Sequence, residues 1–502
     1  MTSVRKLTSM LLFGCYLLMF VSQVGAATRP IIVGSKNFTE SVILGELVTQ
    51  LLIARGFAAE HRQALGGSRI LWNALQRGDI DFYPEYSGTL RFELLVGSDA
   101  GADQLAAAPL QQLLKPFGIV AMESFGFVNN YALGMQESRA QELAIRRVSD
   151  LLKHPGLRIG VSNEFLHRSD GWPGLKAAYQ LPQDAIGLDH DLAYRGLVAG
   201  DLDLIDLYTT DAEISYYQLR VIEDDRGYFP NYHARLLYRQ QMAETWPEVL
   251  KSLQPLEGLL GEAEISRLNS LNKLQKQPTE QVAIEFLQQR LQIKADPDRP
   301  AHSIWRAIWT TTGQQLFLVG VSLSVALLLG LPLGIWAAKN RVAGQLILGI
   351  TGAIQTIPSL ALLVFMIPLL GIGTLPALVA LFAYSLLPII RNTEAGLSGI
   401  SADLRETAVA LGLTAREQLW HIELPLASRM IVAGIKTAAV INIGTATLGA
   451  LIGAGGYGQP ILAGIRLDDT GLILQGAIPA AVMAFLVQGL FGWLEQRLPG
   501  AS

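Results

Sequence analysis

Cysteine is almost missing from this chain: one residue in 502, Cys15, inside the apolar N-terminal stretch. No disulfide can staple the rest, which must be held by its own core. Charge is scarce too, at 16% of residues against 50% hydrophobic. That is too apolar for an ordinary soluble enzyme and points to a membrane protein with a soluble part. Net charge is −4 with no long Lys/Arg run, which argues against nucleic acid as a partner. No G-x-x-x-x-G-K-[ST] occurs, so the chain cannot itself cradle nucleotide phosphates. It has no metal-ligand spacing and no nucleophile elbow, and its seven histidines are scattered. The expectation is a non-enzyme with no metal and no cofactor in this chain.

What is there is unevenly placed. Residues 30–300 read as a globular sequence with charges throughout, whereas Leu316 to Trp493 carries repeated long apolar runs. Residues 1–27 have the shape of a secretory signal peptide or signal anchor: Arg5 and Lys6, an apolar stretch from Met10 to Val21, then Val24-Gly25-Ala26. Either form exports the domain that follows, residues 28–293.

That domain contains an internal echo. From Gly78 and from Gly200, both segments have Asp at +1 and +3, Tyr at +8 and a hydroxyl residue at +9. Leu75 and Leu197 match at −3, Trp72 and Tyr194 at −6. Each reads as an amphipathic helix, a Gly stop, a short buried strand and a Tyr at the strand's end. One unit used twice predicts two α/β lobes, with ligand in the cleft beyond the strand ends. Tyr86 and Tyr208 then face that cleft from opposite sides, and Tyr83 is assigned to packing.

Four tyrosines stand at strand ends or turns: Tyr86, Tyr131, Tyr208 and Tyr232. Converging aromatic faces suit a cation that cannot donate hydrogen bonds, such as a quaternary ammonium, at up to about 2 kcal/mol per desolvated face. For an anionic end of the ligand there are Lys36, at a strand–helix turn, and Arg168, whose planar fork matches a carboxylate.

GSKNFTE (34–40), YPEYSGT (83–89), EFLHRSDGWPGL (164–175), DLYTTD (206–211) and FPNYHA (229–234) resemble, in this order, the binding proteins of osmoprotectant ABC importers. The resemblance spans nearly the whole of residues 28–293 and implies a two-lobed, venus-flytrap receptor for glycine betaine, choline, carnitine or a related compound. It implies a tyrosine box of Tyr86, Tyr131, Tyr208 and Tyr232 around the trimethylammonium group, with Lys36, Thr89 and Arg168 as anion or closure contacts. Two positions depart from the pattern: Ala212 replaces a glycine, and Asn129, also counted among the ligand contacts, stands where some relatives carry Asp.

Residues 294–312 read as a polar, proline-bearing linker followed by an interfacial helix bearing Trp305 and Trp309. Residues 313–496 read as an all-α polytopic domain with five candidate spans, at 315–338, 345–370, 375–390, 430–452 and 471–493. The second could instead be a re-entrant pair around Pro358. Lys339, Arg341, Arg391, Arg405, Arg416, Arg429 and Arg497 fall on one side, which is the cytoplasmic one if the receptor is outside. A bacterial inner (cell) membrane location follows, with lipid around the spans.

Within the loop 401–427, ETAVALGLTAREQLWHIELP resembles the EAA loop of ABC import permeases, with Glu406, Ala408, Gly412, Ile422, Leu424 and Pro425 at the family's spacing and Thr407 as a departure. The resemblance implies a coupling helix seated on a separate cytoplasmic ATPase subunit that binds ATP, and a permease paired as a homodimer. IGTATLGALIGAGGYG (443–458) resembles betaine-type permeases. The expected function is a fused receptor–permease subunit of an ATP-driven importer. Alternatives are import of another solute such as ergothioneine, or a ligand-sensing membrane receptor without transport.

Overall fold

In the computed structural model, which describes residues 29–96, 105, 107–293, 304–467 and 469–498, helix Ser68–Arg77 stops at Gly78 with φ +85. Helix His190–Ala199 stops at Gly200 with φ +80. Both glycines are left-handed, a conformation that costs a residue with a Cβ. Both ends close in the same way. Gly78 N–H reaches Leu75 O and Asp79 N–H reaches Ala74 O; Gly200 N–H reaches Leu197 O and Asp201 N–H reaches Gly196 O.

The echo continues into the strands. Asp81 accepts the N–H of Ile32 at 2.9 Å, and Asp203 accepts the N–H of Arg158 at 3.0 Å. Each carboxylate therefore ties its own strand to the parallel neighbour. An arginine completes each junction, Arg239 on Asp81 at 2.8 Å and Arg158 on Asp203 at 3.0 Å. The repeated Asp at +3 is scaffolding, not a ligand contact.

Among the described residues, ten strands form two five-stranded sheets. They are β1 (Ile31–Gly34), β2 (Ala59–Arg62), β3 (Phe82–Tyr86), β4 (Ile119–Val128), β5 (Tyr131–Gln136), β6 (Ile159–Ser162), β7 (Ala185–Leu188), β8 (Leu204–Tyr208), β9 (Leu219–Ile222) and β10 (His233–Arg239). The orders are β2-β1-β3-β10-β4 and β7-β6-β8-β5-β9. In both, three parallel strands meet a fourth that runs antiparallel to its two neighbours. The chain passes between lobes twice, at Asn129–Asn130 after β4 and through residues 223–232 before β10. Helix Thr39–Ala54 is buried along nearly its whole length, its polar Glu40, Glu46 and Gln50 included, and so sits within the core. Helices Glu262–Lys273 and Thr279–Leu291 pack on it.

The chain divides into two compact units near residue 300. In the second, Ile304–Lys339, Thr374–Ser398, Ala415–Ile452 and Thr470–Gln496 are helices long and apolar enough to cross a membrane. The stretch 345–370 is not one straight span. Helices Arg341–Thr356 and Ser359–Leu370 meet at a 98° bend, so the count among the described residues is four, or five if the bent pair crosses as one. Pro358 causes the break: it lacks an N–H and holds Ile357 extended, at ψ 127.

Two further expectations change. Trp305 and Trp309 belong to the same unbroken 36-residue helix as the first apolar run, so no separate interfacial helix precedes it. The span expected at 375–390 runs on to Ser398, so Arg391 lies inside helix Thr374–Ser398, because the helical hydrogen bonds continue two turns past the apolar run. The leader (1–27) and the polar linker (294–300) lie outside the described residues.

Small residues let these helices approach closely. A Cβ on Gly334 would lie 2.6 Å from Thr393, and one on Gly434 2.7 Å from the carbonyl of Pro388. Where three helices meet, Asn442 donates to Ser322 at 3.1 Å and to Ser385 at 2.7 Å. The glycine-rich 453–458 segment is pinned by Gln314, which accepts Gly456 N–H at 2.8 Å, and by Gln315, which accepts Tyr457 N–H at 3.1 Å.

Candidate functional site

Five aromatic rings run in a chain around one cleft in the first unit. Tyr86 ends β3, Tyr208 ends β8, Tyr131 opens β5 opposite Tyr208, and Tyr232 lies just before β10. Ring centroids are 5.1 Å apart for Tyr131 and Tyr208, and 5.6 Å for Tyr131 and Tyr232, nearly perpendicular at 84°. Phe38 closes the remaining gap, 5.6 Å from Tyr208 and 6.0 Å from Tyr86. Burial pushes the four phenols above their usual range, so they stay neutral. Gly88 leaves room for one of them: a Cβ there would sit 2.2 Å from the Tyr232 ring.

All eight residues picked from the sequence line this cavity: Lys36, Tyr86, Thr89, Asn129, Tyr131, Arg168, Tyr208 and Tyr232. Phe38, Ser68 and Glu164 line it as well and were not picked. Tyr83, within β3, is fully buried and does not line the cavity, in keeping with a packing role.

The cations of the site are already committed. Lys36 pairs with the fully buried Glu85 and donates to Ser68 at 3.3 Å. Arg168 is gripped by both oxygens of Asp170, at 2.9 and 2.6 Å, and its other terminal nitrogen meets Glu93 at 2.5 Å and Thr89 at 3.4 Å. Its carbon lies 5.5 Å from the Tyr131 ring, and the Tyr232 hydroxyl donates to Asp170 at 2.5 Å. Glu164 adds a further, exposed carboxylate to the lining. Two cations thus face four carboxylates.

Two polar features sit deeper. Asn129 donates its amide N–H to Glu40 at 2.9 Å, leaving its Oδ1 buried without a hydrogen-bond partner. Glu40 itself is buried and accepts from Tyr86, Asn129, Thr210 and Asn269. Behind Tyr208, the His190 ring lies 4.6 Å away and bonds Asp211 at 3.1 Å. Burial alone would lower the histidine, but the Asp211 hydrogen bond and the charges of Asp211, Asp206 and Asp191 hold it up at about 9.

In the second unit, helix Ala402–Ala410 ends before Gly412, at φ +76, and Thr414 caps the next helix through a reciprocal bond with Glu417. That helix continues without a break into Leu424–Ala446. Of the six residues expected in the knob, Ala408 is buried as its packing anchor, Glu406 is exposed, and Gly412 makes the turn. Ile422, Leu424 and Pro425 are half-buried along the exit helix. Val409 and Leu411 stand out as exposed apolar side chains.

Paired lobes around an aromatic cleft, on the same chain as a bundle of membrane-length helices, define a receptor joined to a permease. Residues 29–289, more than half the chain, match the family described as the substrate binding domain of ABC-type glycine betaine transport system. Residues 330–499 match the binding-protein-dependent transport system inner membrane component. The chain belongs to the osmoprotectant ABC importers, as a substrate-binding domain fused to its permease domain. Neither part belongs to a catalytic family, and the system implies an ATPase partner and a small-molecule ligand.

Among relatives, the choline transport system permease protein OpuBB of Bacillus subtilis (strain 168) is 40% identical over 40% of this chain and 96% of its own. The carnitine transport permease protein OpuCD of Listeria monocytogenes is 45% identical over 34% of this chain and 78% of its own. A crystal structure of a glycine betaine/carnitine/choline ABC transporter covers 53% of this chain and all of its own, at 28% identity and a TM-score of 0.45.

Proposed function

We propose that this protein captures a quaternary ammonium compound outside the cell and passes it through its own membrane domain, driven by ATP hydrolysis on a separate cytoplasmic ATPase. The observation that carries the ligand class is the chain of five rings, Tyr86, Phe38, Tyr208, Tyr131 and Tyr232, beside which Lys36 and Arg168 are both already paired with carboxylates. Neutral aromatic faces attract a cation that needs no hydrogen bonds. Because Lys36 and Arg168 are neutralised by Glu85, Asp170 and Glu93, a ligand carboxylate would meet more negative than positive charge. The unpartnered Oδ1 of Asn129 suits a hydroxyl donor. Choline, with a cation and a hydroxyl, fits these groups better than glycine betaine.

The exposed knob around Val409 and Leu411 supports docking of the ATPase, and the permease is read as half of a homodimer embedded in lipid. The clustering of Lys339, Arg341, Arg405, Arg416 and Arg429 supports placing the receptor on the opposite, outer side. Tethering holds the receptor at an effective concentration on the order of millimolar above the permease.

Calorimetric titration of the full-length protein with choline, glycine betaine, carnitine and ergothioneine tests the ligand. Choline is expected to bind most tightly. The double variant Tyr86→Ala, Tyr208→Ala should weaken it by up to roughly a thousandfold, from up to about 2 kcal/mol for each of the two faces. If none of the four binds, or if the double variant changes no affinity, the cage reading is wrong.

A further inference from the structure

The carboxylate of Glu40 lies directly behind the aromatic cleft and is held only by donors. Its Oε1 accepts the Tyr86 hydroxyl at 2.5 Å and the Asn129 amide at 2.9 Å. Its Oε2 accepts the Thr210 hydroxyl at 2.5 Å and the Asn269 amide at 3.2 Å. Those four groups come from four elements: the end of β3, the first crossover, the turn after β8, and helix Glu262–Lys273. Burial pushes the Glu40 carboxyl up, while the hydrogen bonds from Thr210, Tyr86, Asn269 and Asn129 favour its charged form.

No cation answers this charge among the described residues. Lys36, whose Nζ lies 4.8 Å from the Tyr86 ring, is paired with Glu85. Lys273, on the same helix as Asn269, is paired with Asp191 and Glu213. Asp211, next to Thr210, is turned away to His190 and to the Tyr194 hydroxyl. A buried carboxylate with four donors and no counter-ion is costly unless something positive arrives nearby.

The cleft is where a positive charge would arrive, through Tyr86. A phenol that donates a hydrogen bond to a carboxylate becomes more electron-rich, and its ring face more attractive to a cation. We propose that Glu40 is the specificity-determining residue for charge: acting through Tyr86, its carboxylate makes the cleft choose a cation over an uncharged molecule of the same shape. This rests on the aromatic-cage reading above. Glu40 touches no ligand, so its effect is on which ligand is held, not on the shape of the site.

Choline and its carbon isostere 3,3-dimethyl-1-butanol separate the two roles, because they differ only in the charged atom. Titrations use the full-length protein. With Glu40→Gln, choline affinity is expected to fall on the order of tenfold or more, while affinity for the isostere stays within about twofold. Equal losses for both ligands would make Glu40 merely structural and overturn the proposal, as would no loss for either. Should the variant fail to fold, Tyr86→Phe supplies the second arm, since it keeps the ring and removes the hydroxyl that reaches Glu40. Its choline-to-isostere ratio should fall well below that of the wild type. An unchanged ratio overturns the proposal. Failure of the cage reading is distinct, since the wild-type protein would then bind no quaternary ammonium at neutral pH.

Discussion

Asp170 holds Arg168 in a two-pronged grip, Oδ1 on Nε at 2.9 Å and Oδ2 on the terminal nitrogen at 2.6 Å. The fork that would welcome a ligand carboxylate is thereby occupied from within the protein. Asp170→Asn keeps the shape and removes the charge. Its ratio of glycine betaine to choline affinity should rise about tenfold, by titration of both ligands. An unchanged ratio would mean that the grip has no bearing on ligand choice.

His190 carries a pH-dependent share of stability. Its folded value, about 9, lies above the ordinary 6.5. Its contribution is therefore fully present below about 6.5 and is lost as pH rises through about 9. Thermal unfolding of the wild type should show the binding domain losing stability across that window. In His190→Asn the slope should flatten. A variant curve parallel to the wild type would rule the histidine out as its source.

Asp81→Ala removes the acceptor of the Ile32 N–H and the partner of Arg239. A loss of about 1–3 kcal/mol is expected, seen as a lower denaturation midpoint of the binding domain. Asp203→Ala should cost less, since that carboxylate is nearer solvent and has Arg158 and Arg139 around it. The reverse order would show that the two junctions, alike in hydrogen bonding, are not alike in energy.

Leu411, at 73% exposure the most exposed large apolar side chain of the knob, should matter to transport and not to binding. Leu411→Asp is expected to leave choline affinity intact and to reduce uptake and ligand-stimulated ATP hydrolysis by roughly tenfold or more. Normal uptake would remove this surface as the ATPase contact.

The legible parts of the sequence were those carried by local pattern. Gly78 and Gly200, with their flanking Leu and Asp residues, announced two lobes because a helix stop before a short strand is written in adjacent residues. The four strand-end tyrosines were legible for the same reason. Glu40 was not: at the start of a helix a glutamate reads as a favourable end charge, and only the fold buries it against Thr210 and Asn269. Phe38 sat unnoticed beside it, since one ring in a turn carries no periodicity. Glu93 is far from Arg168 in the chain and meets it only when the lobes are assembled, whereas Asp170, two residues on, lies in the same turn and nothing in its spacing marks it as the partner that grips the guanidinium. In the membrane half, hydropathy summed residues 345–370 into one candidate span, and it was Pro358, not the apolar character, that marked the alternative of a pair broken where the bend lies.

The strand orders carry a consequence for synthesis. Every strand of the second sheet lies between residues 131 and 222, a single uninterrupted stretch, whereas the first sheet must wait for β10, which slots between β3 and β4. The second lobe can therefore complete itself while the first is still an open set of strands with an unfilled gap. Until residue 239 has emerged, β3 and β4 have no neighbour to pair with at that gap, and the nascent chain is most open to mispairing there.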